Sequence, residues 1–175
     1  GLGSEIYFEV INSILDDKAP ELISHQISES RIDVSNGDKQ FYLNAVFKDD
    51  ISGLDNGYIN FRWQSPSGIH DVSKYLSEEL INGTAANGEI IKIGNTIEFK
   101  NIEVNIPEFS ESGIWTLSSI SMGDSANNHE YLFDRELADL GITSQFEVVN
   151  SISDITAPIL QSYEFVDAKF DVSEG

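Results

Sequence analysis

Apolar and polar residues alternate along this chain in short runs, the period-two signal of strands with one buried face. In QFYLNAVFKDD, Phe41, Leu43, Ala45 and Phe47 fall on one side. In GYINFRWQS, Ile59, Phe61 and Trp63 do the same, while Asn60, Arg62 and Gln64 point the other way. NTIEFKNIEVNIP alternates through Ile97 and Phe99, then through Ile102, Val104 and Ile106. The change of parity at Lys100-Asn101 predicts a bulge or a break. GIWTLSSISM sets Trp115 and Leu117 against Ile114, Thr116 and Ser118, and HEYLF and SQFEVVN complete the set. Turn chemistry separates the runs: SNGD, DDISGLDNG, SPSG, INGTAANG and SESG. One short helix is predicted around DRELADLG, with Asp134 as its cap and Gly141 as its stop. The pattern predicts an all-β fold, an antiparallel β-sandwich with Trp63 on a central strand, facing Trp115 or Leu117 in the core.

The chain also repeats itself. The stretch from Phe8 to Gly37 aligns without a gap with Phe146 to Gly175, at a constant offset of 138, and 15 of the 30 positions are identical. The matches include Asp16/Asp154, Pro20/Pro158 and Asp33/Asp171. One period of a tandem array, with part of the next, accounts for this. The expected organisation is a last strand of a preceding unit over 1–15, a complete unit over 16–153, and a first strand of a following unit over 154–175. Each boundary carries an Asp-x-x-Ala-Pro segment, where the proline holds its neighbour extended. Strands torn from their sheets need partners, so a neighbouring copy that donates or accepts a strand is expected.

Charge narrows the function. Thirty acidic residues against ten basic ones give −20. That sign argues against nucleic acid, whose phosphates need Lys and Arg, and against docking on anionic lipid; insertion in a membrane is not expected either, since no apolar run approaches the ~18–20 residues that span a bilayer. With 40% apolar and 10% aromatic residues the chain has enough material for a packed core. It has no cysteine, which removes disulfides, thiolate zinc and thiol catalysis together.

Two acidic turns offer chemistry. The first, Asp49-Asp50-Ile51-Ser52-Gly53-Leu54-Asp55, follows one strand; the second, Asp124-Ser125-Ala126-Asn127-Asn128, follows another. Loops after strands that run the same way gather at one end of a sandwich. Asp50 and Asp124 are therefore expected to meet there, near a junction segment carrying Asp16 and Asp17, or Asp154. Calcium takes six to eight oxygens from carboxylates, amides and carbonyls, and short Asp, Asn and Ser side chains in tight turns present such oxygens. The expected ligands are Asp49, Asp50, Asp55, Asp124 and Asn128, with Asp16, Asp17 and Asp154 from the junctions. The same residues are also ordinary turn formers. Catalytic signals are weak: His25, His70 and His129 stand isolated, and no zinc-protease, nucleophile-elbow or phosphate-loop pattern occurs. No enzymatic activity is expected.

The run D-D-I-S-G, the later D-S-A-N-N and the Asp-x-x-Ala-Pro segment resemble the immunoglobulin-like repeats of large bacterial calcium-dependent adhesins. Asp50, Ser52 and Gly53 match the first motif of that family, and Asp124, Ala126 and Asn128 the second. Asn127 departs by standing where glycine is usual, although asparagine also tolerates a left-handed turn. INFRWQSPSG and SESGIWTLSSISMGD are similar to repeats of large RTX agglutinin-like surface proteins. The resemblance implies an immunoglobulin-like sandwich, secretion to the cell surface, calcium near unit junctions, and a structural role as an extender with neighbouring repeats as partners. Another reading is a module that binds a carbohydrate such as a host or cell-surface glycan. It requires an exposed aromatic platform, for which Tyr58, Tyr75, Tyr131 and Phe133 are the candidates.

Overall fold

A computed structural model describes residues 11, 14–54, 57–77 and 88–164 of the chain. It is a two-layer β-sandwich. The strands are β1 (Glu21–Ile27), β2 (Arg31–Asp33), β3 (Lys39–Lys48), β4 (Tyr58–Gln64), β5 (Asp71–Ser77), β6 (Glu89–Ile93), β7 (Thr96–Ile106), β8 (Gly113–Gly123), β9 (His129–Phe133) and β10 (Gln145–Val149). One helix, α1 (Asp134–Asp139), lies between β9 and β10. One sheet runs β1-β3-β7-β6. The other runs β2-β10-β8-β4-β5, with β9 also paired to β8. All pairings are antiparallel except β2 with β10, which run parallel.

The alternation read in the sequence builds the core. Phe41, Leu43, Ala45 and Phe47 of β3 are buried, and so are Ile59, Phe61 and Trp63 of β4. Burying a large apolar side chain contributes about 1.5–3 kcal/mol, so a layer of this kind dominates the stability. Across the core Trp63 meets Phe41 edge-on, with ring centroids 5.4 Å apart. Leu117 is its partner within the same sheet, and Trp115 stacks on Phe146 instead. The predicted facing of Trp63 with Trp115 or Leu117 is therefore corrected: all three belong to one sheet, and the residue opposite is Phe41.

The parity change in β7 is a bulge. Leu43 pairs with Ile102 and Ala45 with Phe99, which leaves Lys100 and Asn101 opposite Asn44 alone. Asn101 takes the left-handed conformation, φ 55°, and its N–H donates to Asn44 Oδ1 at 2.8 Å. A second register shift lies between β4 and β8 at Arg62/Trp63; it lets Trp115 and Leu117, then Ile120 and Met122, all face inward.

The helix forms where the sequence places it, but Phe133 occupies the cap and Asp134 is the first helical residue. The Phe133 N–H donates to the Glu136 carboxylate at 3.2 Å. Gly141 follows at φ 68°, in keeping with a helix stop. Among the described residues no helix is long and apolar enough to cross a membrane. Of the strand expected over 1–15, residues 1–10, 12 and 13 lie outside the described residues, as do the INGTAANG turn up to 87 and residues 165–175 of the following unit; the described residues 11, 14 and 15 are not in a strand. Residues 154–164, which the repeat aligns with 16–26, carry no regular structure; Ile159 and Leu160 are exposed there.

Replacing Trp63 by alanine is expected to cost about 3–5 kcal/mol, read from the urea midpoint. Ile114→Ala, at an exposed position of β8, is expected to stay within about 0.5 kcal/mol.

Candidate metal centre

The end of β3 and the start of β7 form one pole of the sandwich, since Lys48 pairs with Thr96. The chain leaves β3 at Asp49, which is only 2% exposed. Its backbone N–H donates to Asn95 O at 2.9 Å. Its Oδ2 accepts the N–H groups of Ile51 and Gly53, at 3.1 and 2.5 Å, and so closes the turn that follows. Gly53 sits at φ 74°, a conformation that favours glycine. The other oxygen, Oδ1, is buried and has no hydrogen-bond partner. A buried carboxylate oxygen left without a donor is costly.

Two further carboxylates lie close to that of Asp49. Asp50 extends outward, and its carbonyl accepts Asn95 Nδ2 at 2.6 Å. Asp16 arrives from the segment before β1, and its Oδ2 accepts the Ser52 N–H at 2.8 Å. One ligating oxygen from each of Asp16, Asp49 and Asp50 lies within 4.8 Å of the others. Oxygens on opposite sides of a calcium ion stand about 4.6–5.2 Å apart, given bonds of about 2.3–2.6 Å. The trio fits within that span. No histidine or cysteine takes part, so the donor set is hard oxygen throughout, suited to calcium rather than zinc.

The second acidic turn braces this arrangement. Asp124 is buried, and its two oxygens accept the backbone and side-chain N–H groups of Asn128, both at 2.8 Å. Asn127 takes φ 70°, as the left-handed turn requires. The two turns are tied together: Ser125 N–H donates to Gly53 O at 2.9 Å, and Ala126 N–H to Ser52 Oγ at 3.2 Å. Asn128 Nδ2 also lies 3.3 Å from both the carbonyl and the Oδ1 of Asp16. Asp124 thus shapes the pole through Asn128, which steers Asp16.

Charge is poorly balanced here. Among the described residues the trio has one ion pair, Lys18 Nζ 2.9 Å from Asp50 Oδ2, and that lysine is largely exposed. Asp50 in turn raises the Lys18 pKa. The Ser52 hydroxyl, then the Ser52 and Lys18 N–H groups, hold the Asp16 carboxyl below its usual range, against an opposing contribution from burial.

Of the other residues expected to ligate, Asp17 is exposed beside the trio's segment and outside it. Asp55 lies outside the described residues. Asp154 is at the opposite pole, where Lys39 pairs with Ile106. There its N–H donates to Phe109 O at 3.1 Å, and it borders a cleft of about 280 Å³ with His70, Pro107 and Trp115. Asn95 was not legible as part of the site. It reaches the first turn from the β6–β7 hairpin, 45 residues on, and nothing in Ile93-Gly94-Asn95 marks that contact. No family model and no curated protein matches the chain.

The Asp16 shift carries a sign. A folded-state pKa below the unfolded one contributes stability above the unfolded value, and loses it as pH falls through the lower folded value. Between about pH 5 and pH 3 the metal-free protein is expected to lose stability, and Asp16→Asn to lose less, as read from urea midpoints at the two pH values.

Proposed function

We propose that the chain is an extender unit of a secreted, cell-surface filament or adhesin, an immunoglobulin-like sandwich whose pole binds calcium and stiffens the joint to the preceding unit. The observation that carries this reading is Asp49, buried with an unpartnered Oδ1, in one carboxylate cluster with Asp50 and with an aspartate from the incoming segment. A calcium ion there draws together the loop after β3 and the segment that leads into the sandwich. Without it, clustered carboxylates repel, and the segment is held by a few polar contacts and an exposed lysine.

The repeat supports an array. Asp154 stands at the position of Asp16 one period on, and its backbone is hydrogen-bonded to Phe109 of this unit. In a following unit of the same kind, Asp154 serves as the incoming ligand. Each joint then has an aspartate fastened by its backbone to one sandwich and by its carboxylate to the next unit's metal. Neighbouring repeats, head to tail, are the partners; exchange of the β1-like stretch after Asp154 between copies is a variant of the same contact. The family resemblance of the D-D-I-S-G and D-S-A-N-N turns points the same way.

A thermal melt in EDTA, in millimolar calcium and in magnesium tests the reading. At 100 times its dissociation constant a ligand stabilises by about 2.7 kcal/mol, which moves the midpoint of a chain this size by several degrees. Calcium is expected to produce that rise and magnesium a smaller one. Asp49→Asn is expected to abolish the rise while increasing the midpoint in EDTA, because it relieves carboxylate repulsion. An unchanged midpoint on adding calcium to the wild-type protein overturns the assignment.

A further inference from the structure

The outer face of the larger sheet presents a compact array of aromatic rings and uncharged hydrogen-bonding groups, beginning beside the second acidic turn, where His129 Nε2 lies 3.0 Å from Asn127 Oδ1. Strand register puts Tyr75, Asn60, Ser121 and Tyr131 in one row across β5, β4, β8 and β9. Tyr75 and Tyr131 are 53% and 52% exposed. In the row on one side, the Tyr58 ring lies nearly parallel to that of Tyr75, 13° between planes and 5.8 Å between centroids. Its hydroxyl is 3.2 Å from that of Tyr131. In the row on the other side stand Arg62 and the exposed Phe133. Three aromatic rings therefore surround Asn60, whose half-buried side-chain amide makes no hydrogen bond among the described residues.

Part of this is ordinary sheet packing. Tyr58 and His129 close over Gly123, where any Cβ would meet His129 Nδ1 at 2.6 Å and Tyr58 Cε1 at 2.8 Å. Packing does not account for the open amide of Asn60 or for the exposure of Tyr75, Tyr131 and Phe133. The area decides what fits. Four strands about 4.8 Å apart and three rows about 6.8 Å apart cover roughly 200 Å², against the ~800 Å² per partner that a stable protein interface needs. The ligand is small.

Charge narrows it further. Arg62 is paired with Asp71 at 2.9 Å, and burial pushes the Tyr58 phenol up to about 12, so it stays neutral at physiological pH. Among its described residues the face has no unpaired lysine or arginine for a phosphate, sulfate or carboxylate, and the chain's −20 repels polyanions. Ring faces that pack against apolar C–H surface, with an amide and hydroxyls between them, suit a ligand that is apolar on its faces and hydroxylated on its rim. The geometry points to a binding face for a short neutral saccharide, its ring C–H groups on Tyr75 and Tyr131 and its hydroxyls on Asn60 and Ser121.

The test screens the whole chain on an array of neutral and anionic glycans. Saturation-transfer NMR on maltotriose, cellotriose and triacetylchitotriose follows, with choline and sialyllactose as charged controls. Each measurement is made in EDTA and in calcium, because the face does not rest on the metal reading. At least one neutral saccharide is expected to bind, with transfer to its ring C–H protons. Tyr75→Ala and Asn60→Ala are each expected to weaken it at least about tenfold with unchanged melting temperature, and Ile114→Ala to leave it intact. Absence of any neutral ligand overturns the proposal. So does binding indifferent to Tyr75→Ala and Asn60→Ala, or preference for choline or sialyllactose.

Discussion

A carboxylate withdrawn from water must be compensated, and Asp49 is compensated on one oxygen only. Its Oδ2 gathers two backbone N–H groups and so fixes the turn after β3. Its Oδ1 is buried with nothing to meet it. Much else at this pole follows from that arrangement. Gly53 must turn left-handed to bring its N–H to Oδ2. The carbonyl of Gly53, thus oriented, accepts Ser125 and ties the second acidic turn to the first. The second turn holds Asn128, and Asn128 reaches Asp16. The chain of contacts runs from one buried acid to the segment that leads into the sandwich.

The two poles divide the work. At one, carboxylates are brought within ligating distance of one another against their own repulsion. At the other, Asp154 is hydrogen-bonded through its backbone and leaves its carboxylate to a local turn with Thr156. The broad outer face of the larger sheet meets the first pole at Tyr58, Gly123 and His129. Its aromatics are neutral and its two arginines are paired, Arg62 with Asp71 and Arg31 with Glu147. The fold thus crowds carboxylates at one pole and pairs opposite charges along its flank.

Much of the sandwich was legible in the sequence, because strand alternation is a local signal and β3, β4 and β7 each carry it cleanly. The bulge at Lys100-Asn101 was legible for the same reason: a shift of parity must be absorbed somewhere. Which residue faces Trp63 was not, since alternation says which side a residue takes and nothing about which sheet lies across from it. The acidic turns could be located, and so could their tendency to share one end. Their hierarchy could not. Asp49, Asp50 and Asp124 look alike in sequence, yet one is buried and half-satisfied, one exposed and one fully bonded to Asn128. Asn95 escaped notice because its role depends on a hairpin folding back from a distant stretch.

The parallel pairing of β2 with β10 has a mechanical meaning. These are short strands near the two ends of the unit, joined over Arg31 to Asp33 and Glu147 to Val149, with Glu147 N–H on Ser30 O and Val34 N–H on Val149 O flanking the pair. Tension applied through the incoming and outgoing segments pulls parallel strands in opposite directions along their length. The bonds between them are then loaded in shear, all at once, where antiparallel neighbours pulled from one end would peel apart singly. On the incoming side β1 of the smaller sheet would take the load first; behind it, the larger sheet sets its own end strands in the orientation that resists longest.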